Sequence, residues 1–128
     1  MEKLAERARD ASRRAYMPYS RFAVGAAVES ATGRQFSGCN VENASFGLTI
    51  CAERNAVFQM VAAGERELVR VVIYTPTPEP TSPCGACRQV LFEFGPDAEV
   101  VSVCDGEGEL RTTVRELLPR GFGPADLA

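Results

Sequence analysis

The chain has 128 residues, an apolar share of 45% and a formal net charge of −3. This length suits one domain that buries its own core, so we expect a single domain over residues 1–128. No apolar run approaches the roughly 20 residues that cross a bilayer, and the charged N-terminus lacks the apolar stretch of a signal peptide. The acidic balance disfavours binding to a polynucleotide backbone. We therefore expect a cytoplasmic protein with a small-molecule partner and with no nucleic-acid or membrane partner.

The first part of the chain predicts a helix followed by a hairpin of two strands. Apolar side chains recur at helical spacing from about Glu2 to Tyr16, and Pro18 stops the helix soon afterwards. The segment Phe22–Glu29 is rich in small and β-branched residues, which favours a strand. A turn at Gly33 would return the chain as a second strand over Gln35–Cys39.

The second part predicts alternating helices and strands. Helices are expected from about Cys51 to Ala63, from about Cys84 to Phe94, and briefly over Val114–Leu118. Strands are expected over Leu68–Thr75, which reads as buried on both faces, and over Glu99–Val103. This order indicates an α/β fold, a mixed sheet whose later strands are parallel and whose two faces are covered by helices.

Cysteine is the residue type that carries the chemistry, because the chain has no histidine. An odd number of cysteines cannot all pair in disulfides, and closely spaced cysteines in a cytosolic protein favour metal or redox chemistry. Any zinc site here must use thiolates or carboxylates, and any general base must be something other than imidazole. The five cysteines are Cys39, Cys51, Cys84, Cys87 and Cys104.

The sharpest local motif is Pro83-Cys84-Gly85-Ala86-Cys87. Proline suits a first helical turn, so both cysteines would lie on one face near a helix N-terminus, where the dipole favours thiolate. The motif alone leaves zinc binding, redox chemistry and two unrelated buried thiols open. A redox pair would normally follow an early strand, whereas this pair follows a long proline-rich loop.

A third cysteine, Cys51, also stands where a loop enters a helix. Three thiolates with one open position are typical of a catalytic zinc site, whereas a structural site closes with a fourth protein ligand. Cys39 or Cys104 could supply that ligand, although each reads more simply as a small buried residue of a strand. Glu53 lies two residues after Cys51 and could move protons beside the metal; a lone glutamate there would only stabilise its helix dipole.

These motifs make the chain resemble the cytidine deaminase family, specifically its small homotetrameric branch. The zinc deaminase signature is a His or Cys ligand followed by x-Glu and later by Pro-Cys-x-x-Cys. Here it reads Cys51-Ala52-Glu53 and Pro83-Cys84-Gly85-Ala86-Cys87. Further segments resemble the family in the same order, namely 22–27, 38–44, 82–91 and 116–119. The resemblance implies a three-layer α/β/α sandwich with a mixed five-stranded sheet.

The resemblance also implies the metal centre and the reaction. One Zn²⁺ per chain would be held by Cys51, Cys84 and Cys87, with water in the fourth position. Arg54 matches an arginine that bonds to the ligand sulfurs, although alone it reads as a solvated helix charge. Glu53 would protonate N3 of the cytosine and later the leaving amine. The implied activity is hydrolytic deamination of cytidine and 2′-deoxycytidine to uridine and 2′-deoxyuridine, with release of ammonia.

Substrate contacts follow from the same resemblance. Asn40 and Glu42 match residues that hydrogen-bond the ribose 3′-hydroxyl, and their alternation in an extended segment would place them on one side. Phe22 matches an aromatic wall of the base pocket, for which core packing is the alternative reading. The Ala52 N–H and the Ser82 carbonyl match backbone contacts to the base.

Two phenylalanines connect this resemblance to oligomerisation. Phe122 resembles a tail residue that reaches into a neighbouring subunit and stacks on the cytosine. We therefore expect a homotetramer whose active sites are shared between subunits. Phe46 stands where many family members carry a tyrosine whose hydroxyl contacts the sugar end, and its loss would weaken that hold by about 1 kcal/mol.

Three rival interpretations remain. A deaminase of another cytosine-bearing small molecule, such as blasticidin S, shares the cysteine motifs, but the Asn40 and Glu42 pair favours the nucleoside. A zinc-stabilised binding module would have no use for Glu53. Editing of nucleic acid is disfavoured by the acidity of the chain.

Overall fold

The computed structural model describes residues 1–128. A five-stranded sheet runs through the molecule in the order β2-β1-β3-β4-β5. Only β3 and β4 are parallel neighbours; the other three pairs are antiparallel. The helices are α1 (Glu2–Ser12), α2 (Ala52–Ala62), α3 (Gly85–Phe94) and α4 (Val114–Leu117), and the strands are β1 (Gly25–Ser30), β2 (Gln35–Cys39), β3 (Leu68–Tyr74), β4 (Glu99–Val103) and β5 (Leu110–Thr113).

Apolar residues lie on both faces of this sheet. Val72 and Val101 point to one face, where they pack with Leu4 and Ala8 of α1. Their sequence neighbours point to the other face and pack with α2, α3 and α4 in the larger core, which includes Val71, Val100, Met60, Leu91 and Val114. This confirms the three-layer α/β/α sandwich with a mixed five-stranded sheet, and it explains why the middle strands have continuous apolar sequences.

Two element boundaries differ from the sequence prediction. α1 ends at Ser12 rather than near Tyr16, because the Tyr16 N–H donates to the Asn40 carbonyl and so leaves the helix. β1 begins at Gly25 rather than at Phe22. Residues 22–24 bond mainly to the Asn40 side chain instead of to a neighbouring strand.

The resemblance implied five strands, but the residue pattern located only four of them and gave no position for β5. Its burial pattern shows two exposed residues followed by two half-buried ones, and Leu110 is its single large apolar residue. Such an edge strand carries no alternation of apolar and polar residues. Backbone pairing with β4 holds it, together with ion pairs from Arg111 to Glu99 and to Glu109.

β2, the other edge strand, is crossed closely by α2. A Cβ atom added to Gly38 would lie 2.6 Å from the Ala56 nitrogen and 2.9 Å from the Asn55 carbonyl carbon. The Asn55 side chain donates a hydrogen bond to the Cys39 carbonyl at 2.8 Å. This contact sets the position of the helix whose N-terminus opens at Cys51.

None of the helices combines the length and the apolar character that a membrane crossing would require. The N-terminal ends of α2 and α3 meet near the carboxyl end of β3. There Ile73 and Thr75 line a cavity together with Cys51 and Cys84. Clefts outside the carboxyl ends of strands are common ligand sites in α/β sheets. The motifs singled out in the sequence converge at this place.

Candidate active site and metal centre

Three cysteine sulfurs converge at the N-termini of two helices. Cys51 is the N-cap residue of α2, and Cys84 is the N-cap residue of α3. Cys87 lies on the first turn of α3 and is fully buried. The three Sγ atoms lie within 4.8 Å of one another. No other group of three or more cysteine, aspartate or glutamate side chains in the chain is placed to hold a metal ion.

The separation of these sulfurs fits a zinc ion. Two thiolates at about 2.3 Å from a tetrahedral zinc are about 3.8 Å apart. Cys51 Sγ and Cys84 Sγ are 3.7 Å apart, far longer than the roughly 2.05 Å of a disulfide, and all five cysteines are free. The cluster is therefore consistent with one zinc held by three thiolates.

The surroundings of the cluster favour thiolate at Cys51. The hydrogen bond from Cys87, assisted by Arg54, lowers the pKa of Cys51 to about 5. The same bond, together with burial, raises the pKa of Cys87. Helix N-termini add partial positive charge at both N-cap cysteines. These shifts place a thiolate at Cys51 beside a thiol at Cys87, and a bound cation would offset the negative charge of that thiolate.

Arg54 lies against the cluster. Its Nη2 is 3.5 Å from Cys51 Sγ and 3.4 Å from the Thr49 carbonyl oxygen. Its Nε is buried and has no hydrogen-bond partner. A half-buried guanidinium beside these sulfurs would offset the negative charge of the three thiolates that a bound zinc requires.

Glu53 is the buried carboxyl group of the site. It is 5% exposed, and burial raises its pKa to about 7. Its side chain lines the same cavity as Cys51 and Cys84. A carboxyl group with a pKa near neutrality can both accept and donate a proton at physiological pH, the property that general acid–base catalysis requires.

This cavity has a volume of about 240 Å³. Six further residues that the sequence resemblance assigned to the site line it with the two cysteines: Phe22, Asn40, Glu42, Ala52, Glu53 and Ser82. They come from four separate segments of the chain. The metal cluster therefore forms one end of a pocket whose other end is polar.

Asn40 is largely engaged with the backbone. Its Oδ1 accepts from the Val24 N–H at 2.9 Å, and its Nδ2 donates to the Phe22 carbonyl at 2.8 Å. An amide nitrogen has a second hydrogen, so one donor remains. Asn40 thus fixes the strand entry that carries Phe22 and still offers one N–H to a ligand.

Glu42 lies beside Asn40 in the cavity wall. Its Oε1 accepts from the backbone N–H groups of Tyr19 and Ser20 at 3.0 and 3.1 Å, and its Oε2 accepts from the Ser20 hydroxyl. The hydrogen bond from the Ser20 side chain is the main cause that lowers the pKa of Glu42. The group is therefore an ionised acceptor at neutral pH.

Two backbone groups of the pocket lack partners within the chain. The Ala52 N–H lies in the first turn of α2, where helical donors are unpaired, and the Ser82 carbonyl accepts no hydrogen bond. Arg88 braces this loop by donating to the Pro83 carbonyl at 2.8 Å and to Ser82 Oγ at 2.9 Å. One donor and one acceptor are thus presented to whatever fills the pocket.

Phe122 does not line the cavity of its own chain. Its ring is 58% exposed, and the Gln89 side chain donates to its carbonyl at 2.8 Å. Phe46 is 75% exposed and packs edge-on to Tyr19, with 5.9 Å between the ring centroids. Both rings stand on the surface, and neither completes the pocket within one chain.

The two remaining cysteines stand apart from the cluster. Cys104 is buried, and its sulfur contacts backbone carbonyls of Pro78, Gly106 and Gly108. Cys39 is half-buried at the end of β2. Neither belongs to the group of three sulfurs, so neither supplies a fourth ligand.

Sequence reasoning missed Ser20, Thr49 and Arg88 as parts of the site. Ser20 and Thr49 line the cavity, and Arg88 braces its Ser82 side. The Arg88 position follows directly on Cys87, which is a usable signal. Nothing in the sequence around Ser20 or Thr49 separates them from ordinary loop residues.

Comparisons with known proteins agree with this geometry. A family profile described as the cytidine and deoxycytidylate deaminase zinc-binding region matches residues 1–104. The cytidine deaminase of Sporosarcina psychrophila is 42% identical over 129 aligned residues, which cover 100% of this chain and 95% of that protein. The cytidine deaminase of Halalkalibacterium halodurans is 46% identical over 114 residues, covering 88% and 86%.

Solved structures show the same similarity. The cytidine deaminase structure from Burkholderia pseudomallei has a TM-score of 0.91 at 46% identity, over 94% of this chain and 98% of that one. The structure from Mycobacterium tuberculosis has a TM-score of 0.82 at 40% identity, over 95% and 96%. With its fold, its three-cysteine cluster and these matches taken together, the chain belongs to the cytidine deaminase family.

Proposed function

We propose that this chain catalyses the zinc-dependent hydrolytic deamination of cytidine and 2′-deoxycytidine. The products are uridine or 2′-deoxyuridine and ammonia. One observation carries the proposal: the buried Glu53 carboxyl group faces a cavity that also exposes two sulfurs of a three-cysteine cluster. A binding module stabilised by zinc would not need a buried proton carrier at that place.

In this proposal Cys51, Cys84 and Cys87 hold one zinc ion. When bound, the metal lowers the pKa of water and so makes it a competent nucleophile near neutral pH. Arg54 offsets the surplus negative charge of three thiolates, since its guanidinium contacts Cys51 and the Thr49 carbonyl. The helix dipoles of α2 and α3 act in the same direction.

Glu53 moves the protons. It accepts a proton from the attacking water and delivers it to N3 of the cytosine, so that C4 becomes electrophilic as the new C4–O bond forms. It then takes the remaining proton from the new C4 hydroxyl and delivers it to the exocyclic amine. As the C4=O bond forms, the C4–N bond breaks and ammonia leaves. A pKa of about 7 supports this double role, because both protonation states are accessible.

The base would be oriented by the backbone. The Ala52 N–H can donate to the cytosine carbonyl, while the Ser82 carbonyl can accept from the exocyclic amine. The ring of Phe22, which lines the cavity, supplies an aromatic surface for the base. These groups distinguish cytosine from a base with the opposite donor and acceptor pattern.

The ribose would be held at the polar end. Its 3′-hydroxyl can donate to the Glu42 carboxylate and accept from the free N–H of Asn40. Both cytidine and 2′-deoxycytidine carry this hydroxyl, so these contacts treat them alike. The same pair favours a nucleoside over other cytosine-bearing small molecules.

We further propose that the whole chain, residues 1–128, acts as one domain within a homotetramer that shares its active sites. The exposed rings of Phe46 and Phe122, together with Leu48 at 64% exposure, support the proposal, because large apolar groups on a surface mark interaction sites. Phe122 would reach the cavity of a neighbouring subunit and stack on the cytosine. The cytoplasmic location stays a prediction.

The deciding experiment uses the purified protein. Zinc per chain is counted by elemental analysis, and the ultraviolet absorbance is followed after addition of cytidine, 2′-deoxycytidine or blasticidin S. We expect about one zinc per chain and loss of both nucleosides with matching release of ammonia. A protein that binds zinc and leaves both nucleosides intact would refute the proposal.

A further inference from the structure

The tight turn between α1 and β1 forms one wall of the substrate cavity. Within it the Arg21 N–H donates to the Met17 carbonyl at 3.0 Å, and Arg21 has a positive φ of 58°. Residues other than glycine adopt this left-handed region rarely, and such positions cluster at functional sites. Ser20, the residue just before Arg21, lines the cavity.

The hydroxyl group of Ser20 joins two parts of the pocket. It donates to Oε2 of Glu42 and accepts from the Phe22 N–H at 3.0 Å. The Ser20 backbone N–H donates to the other carboxylate oxygen of Glu42 at 3.1 Å. One residue therefore contacts both oxygens of Glu42 and the backbone of the pocket's aromatic wall.

From these contacts we propose that Ser20 is a positioning residue of the substrate site, which holds the Glu42 carboxylate in the orientation that receives the ribose 3′-hydroxyl. The inference rests on the proposed role of Glu42. Ser20 acts through Glu42 and takes no part in the proton transfers.

The physical reason is the mobility that the half-buried Glu42 carboxylate would have without these hydrogen bonds. Glutamate loses substantial side-chain entropy when it is fixed, and a free Glu42 would have to lose that entropy on binding the substrate. Hydrogen bonds from neutral donors to a carboxylate are stronger than neutral pairs. The Tyr19 and Ser20 N–H groups and the Ser20 hydroxyl occupy three of the roughly four acceptor positions of the carboxylate, which leaves one on Oε2 for a ligand.

A steady-state comparison of two substrates tests this role. Ser20→Ala removes the hydroxyl, Ser20→Thr keeps it, and Ser45→Ala is the matched control, because Ser45 is an exposed serine whose side chain forms no capping bond. Each variant is assayed with cytidine and with 3′-deoxycytidine. We expect Ser20→Ala to raise KM for cytidine about fivefold with kcat nearly unchanged. We expect Ser20→Thr and Ser45→Ala to match the original protein.

The second substrate separates positioning from a general structural effect. 3′-Deoxycytidine lacks the hydroxyl that Glu42 would receive, so Ser20→Ala should leave its KM within about twofold. Equal losses on both substrates, or no loss on cytidine, would overturn the proposal. Melting temperature, measured for every variant, checks that the proteins compared are folded.

The same data distinguish this inference from the proposed role of Glu42. If the original protein treats cytidine and 3′-deoxycytidine alike, the Glu42 contact itself is absent and both ideas fail together. If the original protein discriminates and Glu42→Gln abolishes the discrimination while Ser20→Ala preserves it, the role of Glu42 stands and that of Ser20 is wrong.

Discussion

At the scale of single residues, the site depends on a carboxyl group that is buried without a salt bridge. Glu53 is nearly inaccessible, and burial raises its pKa to about 7. Burying a carboxyl group without an ion pair costs stability, and perturbed groups of this kind cluster at active sites. Because Glu53 lies beside the cysteine cluster, a substitution that removes its ability to carry protons tests the proposed mechanism directly.

Glu53→Gln keeps the shape of the side chain and removes its capacity to carry protons. We expect kcat for cytidine to fall by about 10² to 10⁴, because general acid–base catalysis contributes that range. Zinc content should stay unchanged, since Glu53 is not among the three clustered sulfur ligands. Glu107→Gln, which changes an exposed glutamate, is the control and should retain full activity. A Glu53→Gln protein with bound zinc and undiminished kcat would contradict the mechanism.

The proposed metal ligands are tested by comparing substitutions of two cysteines, one inside the cluster and one outside it. Cys87 is fully buried in the cluster, whereas Cys39 is half-buried outside it. Cys87→Ser should lower zinc per chain and abolish deamination, because only two thiolates remain. Cys39→Ser should retain about one zinc per chain. Elemental analysis after gel filtration measures the zinc content of both variants. About one zinc per chain in Cys87→Ser as well as in Cys39→Ser would exclude Cys87 as a ligand.

Local spacing made part of this site predictable. Cys84 and Cys87 are one helical turn apart, and Cys51 stands two residues from Glu53, so their helix N-terminal placement followed from sequence. The role of Ser20 did not, because it depends on a left-handed Arg21 that folds the turn back onto Glu42. Nor did the sequence indicate that the Asn40 side chain bonds the backbone of residues 22–24.

At the scale of elements, the close packing of α2 against β2 fixes the position of the α2 N-terminus and therefore of Cys51 in the cluster. Gly38 permits that approach, since an added Cβ would lie 2.6 Å from the Ala56 nitrogen. Gly38→Ala should therefore lower the free energy of unfolding by about 1 to 3 kcal/mol, the usual cost of overpacking. Urea denaturation measures the change. Gly47→Ala, where the added atom meets nothing within 4 Å, should cost far less, and equal costs would contradict the packing argument.

A row of alternating charges crosses the strands at one end of the sheet. In the ladder Glu29 faces Arg70, and Arg70 faces Glu99. Arg70 Nε lies 2.8 Å from Glu99 Oε1, and Arg111 contacts the same carboxylate at 3.2 Å. Cross-strand pairs of opposite charge stabilise sheets modestly, and partial exposure limits the pair of Arg70 with Glu99 to about 0.2 to 1 kcal/mol.

This row predicts a pH-dependent contribution to stability. The hydrogen bond from Arg70 is the main cause that lowers the pKa of Glu99. A carboxyl pKa that is lower in the folded state gives stability above the unfolded value, and that stability is lost as pH falls through the folded value. Glu99→Gln should therefore cost up to about 1 kcal/mol at pH 7 and clearly less near about pH 3, which is below the ordinary glutamate pKa.

Urea unfolding of the original protein and of Glu99→Gln at both pH values, under identical salt, measures this difference. Raising the salt concentration at pH 7 should also shrink it, because exposed pairs are screened. A cost that stays constant from neutral to acid pH would show that Glu99 stabilises the fold through packing and not through its charge.

The presence of most helices and strands was easier to predict from the sequence than the residues at which they begin and end. The apolar strands β3 and β4 lie close to their predicted bounds, because burial on both faces leaves a continuous apolar sequence. The fifth strand was expected but β5 was not located, because an exposed edge strand needs no such sequence. α1 stopped early because a long-range bond from Tyr16 to Asn40 competes with the helix.

At the scale of the whole molecule, the pocket is left open on the side where apolar rings stand exposed. Tyr19, Ser20, Glu42, Phe46 and Thr49 line a second cavity that shares three of these residues with the substrate cavity. The order of helices and strands in the sequence indicated the layers of the fold and some neighbouring strands. Whether one chain forms the whole pocket could not be predicted in this way, because residues of neighbouring subunits can complete it. This open side is where a neighbouring Phe122 would enter.

If active sites are shared between subunits, mixing two inactive or weakened variants should restore activity, a result that the kinetics of either variant alone cannot give. Phe122→Ala should raise KM for cytidine about tenfold, because aromatic stacking contributes on the order of 1 kcal/mol or more and a ring is also removed from the pocket. Glu53→Gln chains lack the proton carrier and keep Phe122. If each site takes Glu53 from one chain and Phe122 from another, hybrids of the two variants contain some complete sites.

Unfolding and refolding the two variants together should therefore give more activity at low cytidine concentration than the sum of the variants refolded separately. The control mixes Phe122→Ala chains with chains that carry both substitutions, which can form no complete site and should show no gain. Sedimentation velocity, measured on the same samples, should give a tetramer. A gain absent from the first mixture, or a monomer at assay concentration, would mean that each chain builds its pocket alone and that the exposed Phe122 serves another purpose.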